Sequence, residues 1–200
     1  MKWLLAICLV CACKDKANVA PAAHSSPATA VVAPSDDELR TRNSLTMSER
    51  AGVFDLVDGA GKMSITLPNK PTLSGAMASQ DGVEVFNAQA VMPGGAVDAQ
   101  FGVSTVKDAE LPAGMVGMLD GIPGQLAAAT GGTLAKNESA VFLGFPARIF
   151  ELTTPDGRRL FGWYVAVAAQ ARMYQLNCVG TDNPASRAAC DTIIHSLKIK

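Results

Sequence analysis

Cysteine is the residue whose type and spacing offer the most chemistry in this sequence. Cys8, Cys11 and Cys13 lie close together near the start, whereas Cys178 and Cys190 lie near the end. The first three have the spacing C-x2-C-x-C, which could hold a zinc ion, and the last two could form a disulfide. A cysteine close to the N-terminus can also accept a lipid. The segments that carry the thiols decide between these chemistries.

The segment that carries the first three cysteines is apolar. Lys2 is followed by an uninterrupted apolar run from Trp3 to Ala12, which is the layout of a secretory leader. A helix of about ten residues reaches only about 15 Å, half of a hydrocarbon core of roughly 30 Å, so the run is too short for a permanent membrane span. Residues 1–12 are therefore predicted to be a signal peptide. A zinc site on thiols inside it is rejected.

The end of this run resembles a bacterial lipobox. In Val10-Cys11-Ala12-Cys13 an aliphatic residue stands three positions before the last cysteine and a small residue stands directly before it. The resemblance implies cleavage after Ala12, a diacylglyceryl group on Cys13, and attachment to the membrane of a bacterial cell envelope with the rest of the chain outside the cytoplasm. Cleavage by the general signal peptidase after Ala22 is the alternative. The lipoprotein is favoured because the apolar run ends at Cys13 and charge follows at once.

Composition predicts a tether followed by one globular domain. Residues 13–45 are rich in Ala, Pro and Ser without a helical or strand period, which is typical of an extended linker. Residues 46–200 are one domain's length, and 48% hydrophobic with 18% charged residues across the chain indicates a packed core. Without Lys2, 16 basic residues face 18 acidic ones. This balance offers no charged surface for nucleic acid.

Within the domain, alternation of apolar and polar residues and the turn residues between runs predict the strands. The predicted strands are Val53–Val57, Met63–Leu67, Val83–Val91, Val97–Val106, Ser139–Leu152, Arg159–Ala168 and Arg172–Val179. Residues 130–139, with two adjacent glycines, are predicted to end the helix and return the chain to the sheet.

Helical spacing predicts two helices. Met115, Leu119, Ile122 and Leu126 form a stripe over residues 111–128, and Pro123 is expected to kink or split that helix. Asn183-Pro184 predicts the start of a closing helix, with the apolar stripe Cys190, Ile193, Ile194 and Leu197. Strands, helix, strands and helix in this order predict an α+β fold with an antiparallel sheet covered by helices.

The two late cysteines fall on facing surfaces of these elements. Tyr174, Leu176 and Cys178 share one face of a strand, and Cys190 lies on the apolar stripe of the closing helix. In an exported protein this placement favours a Cys178–Cys190 disulfide. Two buried free thiols are the alternative.

Three other patterns are interpreted as carrying no catalysis. Ser104 and Lys107 match Ser-x-x-Lys, but on a strand they project to opposite faces. Residues 59–64, GAGKMS, lack the first glycine and the hydroxyl residue of a phosphate loop. Asp191 and His195 lie four apart on the closing helix and are predicted to pair structurally. His195 is the only histidine of the domain, so neither a histidine-rich metal centre nor a cofactor is predicted.

Four segments carry a resemblance to a known fold. LGFPARIFEL, the hairpin through PDG, RMYQLNCVG and the terminal IIHSLKIK resemble the second half of the α/β/α sandwich shared by the photosystem protein PsbP and the envelope lipoprotein DcrB. The order of strands and helices from about residue 52 to residue 200 is similar to that group. The resemblance implies the fold and a family that mostly binds proteins or apolar ligands. It implies no catalytic residue.

These observations predict a non-enzymatic protein-binding or accessory module of the cell envelope. The alternative is a carrier of an apolar ligand, whose pocket would be lined by Met115, Met118, Leu119 and Ile122. The helical spacing requires this stripe to be buried in any case, so core packing is the simpler interpretation. A hydrolase would have only Asp191 and His195 to act with.

Overall fold

The structure is a computed structural model that describes residues 35–80, 83–106 and 112–200. Within these ranges the helices are α1 (Asp36–Asn43), α2 (Pro112–Thr130) and α3 (Pro184–His195). The strands are β1 (Leu45–Arg50), β2 (Val53–Asp58), β3 (Met63–Leu67), β4 (Thr72–Gln80), β5 (Val83–Met92), β6 (Val97–Val106), β7 (Thr133–Phe142), β8 (Phe145–Thr153), β9 (Arg159–Val167), β10 (Arg172–Gly180) and β11 (Lys198–Ile199). The predicted signal peptide and Cys13 lie outside the described residues.

The strands form two antiparallel sheets. The larger sheet has the order β4-β5-β6-β10-β9-β8-β7, and the smaller sheet has the order β1-β2-β3-β11. Alternation fixes their faces, as in β3, where Met63, Ile65 and Leu67 are buried and the residues between them are half-buried. The predicted α+β class and antiparallel pairing are confirmed. The prediction of one sheet covered by helices is correct only in part. One face of the larger sheet is covered by α3 together with the smaller sheet, not by helices alone.

The outer edge of the larger sheet differs from the prediction. Thr133–Phe142, of which only the part from Ser139 was predicted as a strand, forms strand β7. The single strand predicted over residues 139–152 is instead the end of β7, a two-residue turn and β8. The turn is Leu143-Gly144, with φ of 52° and 84°. It was missed because it lies inside a continuous apolar run with no polar turn residue.

The N-terminal side of the domain also begins earlier than predicted. Asp36–Asn43, assigned from composition to the tether, forms α1. Its cap is Ser35, whose hydroxyl oxygen accepts a hydrogen bond from the backbone N–H of Glu38 at 3.2 Å. The helix has no apolar period, which explains why the sequence pattern did not reveal it.

Helix α2 is continuous through Pro123, so the predicted split is wrong. Its stripe of Leu119, Ile122 and Leu126 packs on the face of the larger sheet formed by Phe150, Leu152, Leu160, Tyr164, Ala166 and Met173. Packing on both sides of Pro123 outweighs the hydrogen bond that proline removes. Across the described ranges, no helix is long and apolar enough to cross a membrane.

The opposite face of the larger sheet carries the second core. The smaller sheet contributes Leu56, Met63, Ile65 and Leu67 to it, and α3 contributes Cys190, Ile193 and Ile194. The predicted start of α3 is confirmed, since the Asn183 side chain accepts a hydrogen bond from the Ser186 N–H at 2.8 Å and Pro184 opens the helix. At the other end, the Ser196 hydroxyl bonds to the backbone of Thr66 in β3. Helix α3 is thereby fixed to both sheets.

A buried ion pair joins the two sheets. Asp58 at the end of β2 pairs with Arg172 at the start of β10, with side-chain exposures of 0% and 6%. The other Asp58 carboxylate oxygen accepts from the backbone N–H groups of Lys62 at 2.7 Å and Met63 at 3.0 Å. The amides of the GAGKMS turn are therefore already occupied, which agrees with the exclusion of a phosphate loop.

We predict that Arg172→Met destabilises the domain by about 3–5 kcal/mol, because it leaves the Asp58 carboxylate buried without its cation. Urea denaturation measures the free energy of unfolding. Asp58→Asn added to Arg172→Met should recover part of the loss, since asparagine keeps the oxygen that caps the β2–β3 turn. The matched control Arg50→Met removes an exposed pair with Asp55 and should change stability little. Wild-type stability in Arg172→Met would contradict the role given to the ion pair.

Candidate functional site

A cleft lies beside α3, under the outer strands of the larger sheet. Helix α3 packs mainly on β10, β6 and β9 and on β3 of the smaller sheet, so β8 and β7 extend beyond it. The cleft has a volume of about 250 Å³. It is lined by Lys136, Phe142, Ile149, Phe150, Glu151, Phe161, Trp163, Arg187, Asp191, Ile194 and His195. We call it the α3–hairpin cleft.

Strand register builds the floor of the α3–hairpin cleft. Ile149 of β8 stands opposite Trp163 of β9, and Glu151 stands opposite Phe161. Side chains two apart on a strand share a face, so all four project toward α3. Ile194 of α3 closes the floor from the other side. The floor is therefore mostly aromatic and aliphatic, with a single carboxylate among its strand residues.

That carboxylate is held by a cation from α3. The Arg187 guanidinium donates to both oxygens of Glu151, at 2.7 and 2.9 Å, and lies 4.9 Å from the centroid of the Phe161 ring. Hydrogen bonding to Arg187 lowers the pKa of the Glu151 carboxyl, although burial opposes the shift. A bidentate pair stacked on an aromatic face is a rigid arrangement. Arg187 and Glu151 thus form a fixed, neutral wall.

The predicted pairing of Asp191 with His195 takes a different form. His195 Nδ1 lies 2.7 Å from the backbone carbonyl oxygen of Asp191, not from its carboxylate. The imidazole lies 6.4 Å from the Phe142 ring between centroids, tilted by 51°. Because Nδ1 is occupied, Nε2 is the nitrogen left for a ligand. The Asp191 carboxylate makes no hydrogen bond or ion pair with the described residues and feels Arg187 only through space.

The lining of this cleft offers no hydroxyl or thiol nucleophile. None of its residues is a serine, threonine, tyrosine or cysteine. Ser104 lies elsewhere and donates to the Asn87 side chain at 2.6 Å, and Lys107 is outside the described residues. Among the residues described, no three His, Cys, Asp or Glu side chains are grouped as a metal site would need. The arrangement can enclose an apolar group and contact it with a carboxylate and an imidazole at the rim.

The two late cysteines lie in the core between β10 and α3. Cys178 and Cys190 are both fully buried in this core. The predicted disulfide is not formed in the structure, where both are free thiols. The hydrogen bond with Cys190, together with burial, raises the pKa of the Cys178 thiol far above its ordinary range. Such a thiol is a poor nucleophile.

The residues predicted to line an apolar pocket lie on the other face of the larger sheet. Leu119 and Ile122 are buried in the core against β8 and β9, and Met118 is half-buried. None of these three lines the α3–hairpin cleft. Nothing is described of the Met115 side chain. The two buried residues fill the core, as helical spacing alone requires.

We predict that Arg187→Gln lowers stability at pH 7 by about 0.5–1 kcal/mol, since the pair is partly exposed. The pKa of Glu151 is depressed in the folded state, so its contribution is present above the unfolded value near 4.5 and is lost as pH falls through the lower folded value. The gap between wild type and variant should therefore close in acid. Urea denaturation from pH 7 to pH 3 measures it, with Glu151→Gln as the control that should not titrate. A gap that is constant with pH would contradict the assignment.

Comparison with known proteins finds structural neighbours but no similar sequence. No protein-family model and no curated protein sequence matches the chain. The solution structure of cyanobacterial PsbP (CyanoP) from Synechocystis sp. PCC 6803 is 12% identical, with 76% of this chain and 95% of that chain covered and a TM-score of 0.49. A protein of unknown function from Pseudomonas aeruginosa is 15% identical, with 79% and 99% covered and a TM-score of 0.38. The T6SS immunity protein TplEi of Pseudomonas aeruginosa, complexed with "L" peptide, is 13% identical, with 82% and 80% covered and a TM-score of 0.36. PsbP, which the sequence resembles, is thus among the structural neighbours.

Proposed function

We propose that this chain is a lipid-anchored protein of the bacterial cell envelope whose globular domain is a non-enzymatic protein-binding module. The α3–hairpin cleft is its docking site. The observation that carries the proposal is the composition of the cleft. Its floor is apolar, and the charged groups beside the floor, Glu151 and Arg187, are already paired with each other. The lipobox-like sequence ending at Cys13 supports the anchor.

The size of the cleft favours a protein partner over a carried ligand. Pockets for small molecules usually measure about 300–1,000 Å³, whereas the α3–hairpin cleft measures about 250 Å³. This volume suits one or two side chains inserted from a partner's surface. Trp, Phe and Arg, here Trp163, Phe161 and Arg187, are residue types enriched where protein interfaces carry their binding energy.

The pairing within the rim favours binding over hydrolysis. Arg187 engages both oxygens of Glu151, and Lys136 pairs with Glu138 at 3.0 Å. Hydrolysis needs a base and a group that stabilises developing negative charge, both unengaged before the substrate arrives. His195 and the Asp191 carboxylate meet the first need, but the two nearby cations are already neutralised, so the second need is not met.

A photo-crosslinking amino acid at His195, on the rim, should capture a defined protein partner in the native envelope, because this position faces the docked side chain. The control position is Thr192, which is exposed on α3 and does not line the cleft. Trp163→Ala should reduce the yield at position 195 severalfold without changing the background at position 192. A lipid adduct at 195 would support the carrier instead. Turnover of any ester or peptide that is abolished by His195→Ala would overturn the non-enzymatic assignment.

Mass spectrometry of the mature chain tests the anchor. The first residue should be Cys13 carrying a diacylglyceryl group, because the leader would be cut after Ala12. Cys13→Ser should abolish both the lipid and that cleavage, whereas Cys11→Ser, at the neighbouring thiol, should leave them intact. An unmodified N-terminus at Ala23 would show an ordinary exported protein instead.

We further propose that Cys178 and Cys190 are oxidised to a disulfide after export, since both are buried in mutual contact and the compartment is oxidising. Non-reducing peptide mapping of protein from the envelope should recover the two cysteines in one linked peptide. The bond would close a loop of about a dozen residues, worth roughly 3 kcal/mol on the loop-entropy estimate. Reduction should therefore lower the unfolding temperature. Two thiols that alkylate freely once the unreduced protein is unfolded would refute the bond.

A further inference from the structure

The turn between β7 and β8 exposes large apolar side chains. We define the apolar tip as Val141, Phe142, Leu143, Gly144 and Phe145. Val141 is 77% exposed and Leu143 is 50% exposed, and the two phenylalanines are half-buried beneath them. Isolated apolar residues on a surface need no explanation, but a contiguous group at a protruding turn does.

The backbone of the apolar tip is strained at an apolar residue. Phe142 and Phe145 pair as the last residues of the ladder, so the loop has two residues, Leu143 with φ of 52° and Gly144 with φ of 84°. Positive φ at both positions favours Asn-Gly or Asp-Gly, because a leucine side chain crowds the backbone in this region. Leu143 therefore makes this turn less stable than an asparagine or aspartate would. Such strain is a reason to look for a function at the site.

The chemistry of the apolar tip suits a fluid apolar medium. From Ser139 to Ala147 the sequence SAVFLGFPA carries no charge, and after Ser139 no side chain in it can donate or accept a hydrogen bond. Pro146 also lacks a backbone N–H. Specific docking on a protein normally uses directional polar contacts around an apolar centre, and the tip has none to offer. A convex, uncharged apex can instead enter a lipid bilayer, which adapts to its shape.

We propose that the apolar tip inserts into the membrane that carries the Cys13 anchor, with Val141 and Leu143 below the headgroups. The inference rests on the lipid anchor of the proposed function. The chain between Cys13 and Ser35 could span at most about 75 Å, long enough for the domain to turn its tip to the membrane. Phe142 belongs both to the tip and to the lining of the α3–hairpin cleft. Insertion would therefore hold the cleft at the membrane surface, facing partners that lie close to the bilayer.

The depth of the tip can be measured with a fluorophore on the mature, acylated chain. An environment-sensitive NBD group on Val141→Cys, in vesicles of phosphatidylethanolamine with phosphatidylglycerol, should emit at shorter wavelength, and nitroxide lipids should quench it. Iodide quenching should fall severalfold when vesicles are added, compared with the same labelled chain without vesicles, because an interfacially buried group is shielded from water. The control label is Ser74→Cys, exposed on the opposite edge of the larger sheet. The buried Cys178 and Cys190 should not take up the label.

Leu143→Asn separates insertion from folding. Asparagine tolerates the left-handed backbone, so the unfolding temperature should stay equal or rise while the emission shift at position 141 is lost. The matched control is Leu134→Asn, which removes an exposed leucine of β7 away from the turn and should leave the shift intact. Because the tip is uncharged, the shift should not depend on salt or on the fraction of anionic lipid.

Four outcomes are informative, and each decides the proposal. A blue shift at position 141 that Leu143→Asn removes supports insertion. A label at 141 that stays as accessible to iodide as the label at 74, on a chain shown to be acylated, overturns insertion and leaves the anchor standing. A shift on a chain whose Cys13 carries no lipid supports insertion and removes the anchor. Protection at 141 without vesicles that grows with protein concentration assigns the tip to contact between two copies and overturns the membrane assignment.

Discussion

The buried pair of Asp58 and Arg172 fixes where the smaller sheet sits on the larger one. Removing two opposite charges from water is costly, and the cost is offset only when both remain together with their hydrogen-bonding groups satisfied. Asp58 meets this condition by also capping the β2–β3 turn. A shift of the smaller sheet relative to the larger one would separate Asp58 from Arg172 and leave a buried charge unpaired. Because β11 follows α3 and pairs with β3, the same constraint reaches α3.

The α3–hairpin cleft exists because the larger sheet is wider than the layer of α3 and the smaller sheet that packs on it. On one face of the larger sheet, α2 covers the outer strands β7, β8 and β9. On the other face, α3 and the smaller sheet are held toward the centre and leave β7 and β8 overhanging. The inner face must still be apolar where the overhang approaches the core, and Ile149 of β8 and the neighbouring Trp163 of β9 lie there. Arg187 then shields the one carboxylate, Glu151, that enters this surface.

Much of the fold could be predicted because short sequence patterns, such as strand alternation and a helix cap, indicate its elements. Met63–Leu67 alternates, and Asn183-Pro184 opens α3 with a side-chain cap. The first part of strand β7, residues 133–138, could not be predicted, since almost all of these residues are exposed and an edge strand paired on one side needs no apolar alternation. His195 could be singled out from the sequence because its chemistry is distinctive. Asp191, four residues before it on α3, could be singled out with it. The neighbours from β7, β8 and β9 could not, because strand register brings them together across the sheet.

The β7–β8 hairpin lies at one edge of the larger sheet and contributes residues to both the α3–hairpin cleft and the apolar tip. β7 has a ladder on one side only, and its register already shifts between Leu134 and Lys136. Segments with one pairing partner and few buried side chains open at lower free energy than the core. Phe142 nevertheless contributes to both the cleft and the apolar tip, so a displacement of this hairpin changes both surfaces together.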